Sequence, residues 1–267
     1  MYPPSFRYAR ASSLGQAEEL FAASGDAAYL SGGMTLIPTM KLRLAAPGDV
    51  IDLNTIPDLA FVRRKGDLLE IGACTRHADV ASSAEARRAL PALAHLASVI
   101  GDPSVRHMGT LGGSIANNDP AADYPAAILA LNANVKTSRR EIAAHEFFTG
   151  MFSTALEDGE IVTAAAFRIP SRAGYAKFPN PASRYAMVGV FVADFNGTVR
   201  VAVTGAGPCV FRAEEMETAL SQDFTPNAAK SVAIPSEGLN ADLHASAEYR
   251  AHLISVMAAR AVEAALD

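Results

Sequence analysis

The chain has 267 residues, half of them hydrophobic, enough for a substantial core in one to three compact domains. A net charge of −5 with no dense Lys/Arg cluster excludes the electrostatic footprint of a nucleic-acid binder. No apolar stretch reaches the roughly 18 residues of a membrane span, and MYPPSFRYARASS lacks the apolar middle of a signal peptide, so a cytoplasmic location is expected.

In chain order, Tyr2 to Tyr8 reads as an extended entry strand. Ser12-Ser13 caps a helix with Leu14, Ala17, Leu20 and Phe21 at helical spacing. A strand from Ala28 to Leu30 meets Ser31-Gly32-Gly33-Met34-Thr35-Leu36, and a helix or extended turn to Leu44 leads to the strand Val50–Leu53. From Pro57 the pattern changes. Phe61-Val62 and Leu68–Ile71 read as a β-hairpin turning on the charged run between them. Thr75 is expected to cap a helix containing His77, with further helices at Ala84–Leu90 and from Pro91 to Ile100. A second glycine loop, Thr110-Leu111-Gly112-Gly113-Ser114, precedes a helix at Ala126–Leu131 and strands at Ala133–Thr137 and Ile161–Ile169. The Pro- and Gly-containing stretch Ser171 to Arg184 reads as the best linker in the chain, though Tyr175, Lys177 and, just beyond, Tyr185 argue against a passive one. Strands then flank the Asn196-Gly197 turn, and helices at Ala213–Leu220 and Ser246–Ala265 close the sequence. Gly205-Ala206-Gly207-Pro208 lacks the third glycine of a Rossmann start and reads as a turn.

The two glycine pairs carry the chemistry. Adjacent glycines let the backbone approach a ligand closely and turn successive N–H groups the same way, which makes a nest for phosphate-type anions. Thr110 and Ser114 add hydroxyl donors. Either pair alone is an ordinary turn signal. Two of them, each met by an apolar run, suit a ligand with two linked phosphates, and a dinucleotide cofactor is the natural candidate. Cys74 and Cys209 are too few to ligate an iron–sulfur cluster, which takes about four protein ligands. The six histidines show no metal-ligand spacing.

The run SGGMTLIPTMKLRLAAPGDVIDLNTI resembles the first flavin loop of the medium subunits of molybdenum-containing hydroxylases, the group of the carbon monoxide dehydrogenase and xanthine dehydrogenase families. GDPSVRHMGTLGGSIANNDPAADYPAAILAL is similar to their second flavin loop. The likeness extends through Tyr175–Lys177, Pro181–Ala186 and Ser246–Arg250. It implies an α+β chain: a two-subdomain FAD-binding fold of the vanillyl-alcohol-oxidase/PCMH type over residues 1–56 and 57–172, then a C-terminal α+β domain over 173–267 with a three-stranded sheet and helices. It further implies FAD on this chain and electron transfer to NAD, a quinone or dioxygen. The partners implied are an iron–sulfur small subunit with [2Fe-2S] clusters and a large subunit with the molybdenum cofactor, in a dimer of heterotrimers.

On that likeness Ser31 to Leu36 and Thr110 to Ser114 surround the pyrophosphate, and Asp123 contacts the cofactor through its side chain. Lys177 stands as a cation near the flavin's polar edge, Tyr185 covers one face of the isoalloxazine, and Ile161 or Val162 offers a backbone contact. Met34 departs from the polar residue frequent after the first glycine pair, which removes a side-chain contact but not a backbone one. No catalytic triad or paired carboxylate is evident. Two other classes stay open: a self-sufficient flavin reductase of related fold, and a non-catalytic assembly subunit.

Overall fold

The computed structural model describes residues 2–267. The first unit runs β1 (Arg7–Arg10), α1 (Leu14–Ala22), β2 (Ala27–Leu30), α2 (Leu36–Lys41) and β3 (Asp49–Asp52). Its strands form a parallel sheet in the order β1-β3-β2. Ser13 caps α1 by accepting from the Gln16 N–H at 3.2 Å. The entry strand starts only at Arg7, because Pro3 and Pro4 supply no N–H to a ladder.

A five-stranded sheet, order β4-β5-β10-β6-β7, organises the middle of the chain. Its first hairpin joins β4 (Val62–Lys65) to β5 (Leu68–Gly72) at Gly66, whose φ of +62° needs glycine. The charged run expected in the turn is itself the strand. Arg63 and Lys65 reach Glu70 at 2.7 and 3.2 Å, and Lys136 reaches it at 2.6 Å.

Next come α3 (His77–Ser82), α4 (Ala84–Ala89) and α5 (Pro91–Ser98). Thr75 does not cap α3; its hydroxyl instead bonds both the N–H and the carbonyl of Phe61. The sequence reading missed α6 (Pro103–Met108) and α7 (Leu111–Asn117), capped by Asp102 and Thr110. In α8 (Tyr124–Ala130) all seven residues are buried. The unit closes with β6 (Asn134–Thr137), β7 (Glu141–Ala143), α9 (Ala144–Phe147), β8 (Phe148–Gly150), β9 (Ser153–Thr154) and β10 (Val162–Arg168).

The C-terminal sheet corrects two expectations. The stretch read as a linker contains β11 (Arg172–Pro179), which pairs antiparallel with β12 (Ala186–Phe195) along its whole length. With β13 (Thr198–Thr204) and β14 (Phe211–Arg212) the sheet has four strands rather than three. Gly174 looked like a linker residue, but its reason is packing: a Cβ there would overlap the Ala261 carbonyl. Helices α10 (Glu214–Gln222), α11 (Pro226–Ser231) and α12 (Ala247–Leu266) follow. In β12, Val188, Val190 and Val192 pack in the cluster that contains α12 residues, whereas Phe191 and Ala193 pack with α8. That two-sided burial explains the unbroken apolar run. The sheet is therefore sandwiched between α12 and α8, the helix that begins just after Asp123.

Candidate functional site

The first glycine loop leaves the end of β2 and turns at Gly33, with φ +70°. Gly32 lies against the backbone of Met108 and Gly109, where any Cβ would overlap the Met108 carbonyl. The two loops are thus backbone to backbone, and the Ser31 and Thr110 hydroxyls join them at 2.9 Å. The N–H groups of Gly32, Gly33, Met34, Thr35 and Leu36 donate to no described protein group, and Thr35 gives α2 no side-chain cap. Met34 and Thr35 are exposed and Leu36 half-buried. Five successive N–H groups with no protein partner form an open donor set, and a backbone nest of this kind can take an anion.

The second glycine pair works differently from the first. Gly112 and Gly113 lie in the first turn of α7 rather than in an open turn. The Leu111 and Gly112 N–H groups are already taken by the Thr75 and Ala73 carbonyls at 3.1 and 2.8 Å. Gly113 N–H faces the capping Thr110 hydroxyl at 3.2 Å, and Ser114 N–H closes onto the Thr110 carbonyl at 3.0 Å. A Cβ on Gly112 would come within 2.5 Å of Ala73 Cβ, so that glycine serves helix-to-strand packing. Gly113 is exposed, and its only near neighbour is Thr110 Oγ1 at 3.0 Å, so its face is open.

Behind this loop Asp123 is buried, and its Oδ1 accepts from Tyr175 OH at 2.6 Å and Lys177 Nζ at 2.8 Å. Burial pushes the Asp123 carboxyl up, while Lys177 and Tyr175 pull it down. Burial and the Asp123 charge raise Tyr175 well above its ordinary range. Lys177 also donates to the Val99 carbonyl at 2.7 Å, and its side chain is 5% exposed. It is a paired, interior cation. Tyr175 was absent from the sequence-derived set; its alternation with Lys177 along β11 would have given it away had the strand been recognised.

Tyr185 is 44% exposed and borders a cavity of about 270 Å³ with Asp119, Phe152, Asn180, Asp242 and Arg250. Burial and the nearby Asp119 and Asp123 raise its phenol. Ile161 has both its backbone groups engaged within the protein. Its side chain is packed with Ile51 and Cys74, its carbonyl accepts from Ser138 N–H at 2.8 Å, and its N–H donates to the Ser138 hydroxyl at 3.3 Å. Among the described residues no cluster of His, Cys, Asp and Glu could hold a metal ion, and no helix is long and apolar enough to cross a membrane.

An anion nest, a second loop docked on it and a buried Asp–Lys–Tyr group lie within one part of the molecule, and residues 4–172 match the family described as the FAD binding domain in molybdopterin dehydrogenase. The chain belongs to the FAD-binding medium subunits of the molybdenum hydroxylases. This medium subunit is 35% identical to the carbon monoxide dehydrogenase medium chain of Hydrogenophaga pseudoflava, over 99% of this chain and 98% of that one. It is 34% identical to the glyceraldehyde dehydrogenase medium chain of Sulfolobus acidocaldarius, over 98% of each. Among solved structures, quinoline 2-oxidoreductase from Pseudomonas putida 86 superposes with a TM-score of 0.91 at 26% identity, over 100% of this chain and 99% of that one. Reconstituted CO dehydrogenase from Oligotropha carboxidovorans gives 0.88 at 32%, over 99% of each.

The medium subunit is therefore an oxidoreductase component with an FAD-binding domain and a C-terminal domain. Its residues fit the dinucleotide. The free N–H groups of residues 32–36 match a pyrophosphate, and the open face of Gly113 leaves room for close approach beside them.

Proposed function

We propose that this medium subunit is the electron-transfer component of a molybdenum-containing hydroxylase. It takes electrons from the iron–sulfur clusters of a small partner subunit, themselves supplied by a molybdenum-cofactor large subunit that oxidises the substrate. It passes them to an external acceptor, NAD, a quinone or dioxygen. The unit assembles as a dimer of heterotrimers.

The run of unpartnered N–H groups from Gly32 to Leu36, fixed against the second loop by the Ser31–Thr110 hydrogen bond, carries this reading. FAD, when bound, supplies the capacity to exchange electrons singly and in pairs. The chain supplies the rest. Gly32 to Leu36 hold the pyrophosphate through the backbone, so Met34 costs nothing there. Thr110 and Ser114 border the same anion. Asp123 contacts the cofactor through its side chain, Lys177, paired with it, is the cation near the flavin's polar edge, and the Tyr185 ring covers one face.

The test is an absorbance spectrum of the purified chain with and without added FAD, repeated on the co-expressed complex and followed by cofactor extraction. About one FAD per chain is expected in the complex, since a single two-phosphate nest serves one dinucleotide. A complex without flavin would overturn the reading.

A further inference from the structure

Arg250, in the first turn of α12, is only 4% exposed. Its Nη1 donates to the carbonyls of Met187 at 2.7 Å and Gly205 at 3.0 Å, and its Nη2 to Asp242 Oδ2 at 2.7 Å. Nothing in flavin binding calls directly for a buried guanidinium here. The reason lies in the sheet. The β11–β12 ladder pairs Phe178 with Val188 and Pro179 with Ala186, so Met187 is an extra residue with no partner opposite it. The β12–β13 ladder ends at Gly189–Thr204, one residue short of Gly205. Arg250 therefore satisfies the two carbonyls that a β-bulge and a ladder end leave over. Bulges of this kind re-aim the neighbouring side chain.

That neighbour is Tyr185, two residues before Met187. Its ring is 44% exposed at the rim of the cavity of about 270 Å³, so side-chain packing confines it only on its covered side. Its placement is a backbone property, fixed by the bulge and by its carbonyl, which accepts from Asn180 N–H at 2.7 Å. Arg184 beside it adopts φ +60°, a constrained conformation for a non-glycine residue. The same corner holds the approach to Asp123. Gly205 N–H donates to the Pro120 carbonyl at 2.8 Å, Ala186 N–H to Ala121 at 3.3 Å, and the Thr204 hydroxyl to Ala122 at 2.6 Å.

We propose that Arg250 is a positioning residue for the flavin site: through the Met187 and Gly205 carbonyls it sets where the Tyr185 ring and the Asp123 segment stand, while touching neither side chain. Asp242 fixes the far end of the guanidinium. Its Oδ1 also accepts from the His244 and Ala245 N–H groups at 2.9 and 3.0 Å, which ties the turn before α12 to the same corner. This inference rests on the reading of Tyr185 as the residue over the isoalloxazine.

The experiment uses the co-expressed complex with R250Q, R250K, D242N, Y185A and the R250Q/Y185A double variant. Three quantities are read: FAD per chain, flavin fluorescence yield, and the ¹⁹F shift of fluorotyrosine placed at position 185. With FAD content retained, R250Q is expected to raise flavin fluorescence toward the Y185A level and to move the ¹⁹F resonance. R250K should recover part of both, and the double variant should add nothing to Y185A. Should R250Q fail to fold, D242N, which frees the guanidinium from its half-exposed end, carries the same expectation in smaller measure. If Y185A changes the fluorescence while R250Q, or D242N in its place, matches wild type in fluorescence and ¹⁹F shift, the proposal falls and the Tyr185 reading survives. If Y185A itself matches wild type, the Tyr185 reading falls and takes the proposal with it.

Discussion

Two adjacent glycines, alike on paper, have different jobs. Gly112 faces Ala73 with no room for a methyl, whereas Gly113 opens outward at the candidate pyrophosphate site. Gly112→Ala should therefore destabilise the fold by about 1–3 kcal/mol through overpacking. Gly113→Val presses only on the capping Thr110 hydroxyl at 3.0 Å, so it should cost less stability than Gly112→Ala and abolish FAD retention. Thermal unfolding and extracted FAD separate the two; full flavin in Gly113→Val would remove that residue from the pyrophosphate site. His77, behind the same loop, tests a different property. It is buried, its Nδ1 has no partner, and burial, reinforced by the Arg106 charge, lowers its pKa to about 4. A depressed histidine pKa means that stability is complete above the ordinary value of 6.5 and is lost as pH falls toward 4, because only the unfolded chain takes up the proton readily. The loss amounts to about 3 kcal/mol across that window. In His77→Leu this part of the slope should vanish from urea-unfolding midpoints measured between pH 7 and pH 4.5. An unchanged slope would assign the acid sensitivity elsewhere.

At the scale of elements, legibility followed the strength of local signals. Helices with a capping hydroxyl and apolar spacing, such as α1 and α12, were readable within a residue or two, and so was the hairpin at Asn196-Gly197. What escaped was whatever tertiary contact decides. Leu111–Asn117 opens with two glycines that disfavour a helix, yet Thr110 caps it and Ala73 receives its close face. Arg172–Pro179 carries linker-like residues, yet it becomes a strand because β12 pairs with it and α12 packs over Gly174. The site shows the same division. Its glycine loops are written locally and Asp123 came from the family likeness alone, while Tyr175 and the Arg250 clamp become visible only once the C-terminal sheet is assembled. Gly174 gives a direct check. Gly174→Ala drives a methyl into the Ala261 carbonyl, a backbone atom that cannot rotate away, so helix and sheet must part. A loss of about 1–3 kcal/mol is expected in denaturant unfolding. A neutral result would show that α12 does not sit tightly on β11.

For the whole molecule, the central question is what joins the FAD-binding part to the C-terminal sheet. Val99 and Asp123 come from the first, Tyr175 and Lys177 from the second, and one ammonium group bonds to both Val99 and Asp123. The pair is 3–5% exposed, so neither charge is supported by water. Breaking a buried ion pair by removing one partner leaves an uncompensated charge and costs about 3–5 kcal/mol, whereas removing both charges together can be close to neutral. Lys177→Met should therefore be strongly destabilising at neutral pH. Asp123→Asn combined with Lys177→Met should recover most of the loss. The pH dependence has a definite sign. Without Lys177 the buried Asp123 carboxyl binds its proton more tightly folded than unfolded, so its folded pKa lies above the unfolded value of 3.8. Stability is then retained at low pH and lost as pH rises through the folded pKa. Lys177→Met should thus gain on wild type on acidification, and the double variant should not, which urea unfolding at neutral and mildly acidic pH would reveal. If the two variants were equally unstable at every pH, the junction would be held by the packing of Tyr175 and α8 against the sheet, and the charge pair would matter only to the cofactor.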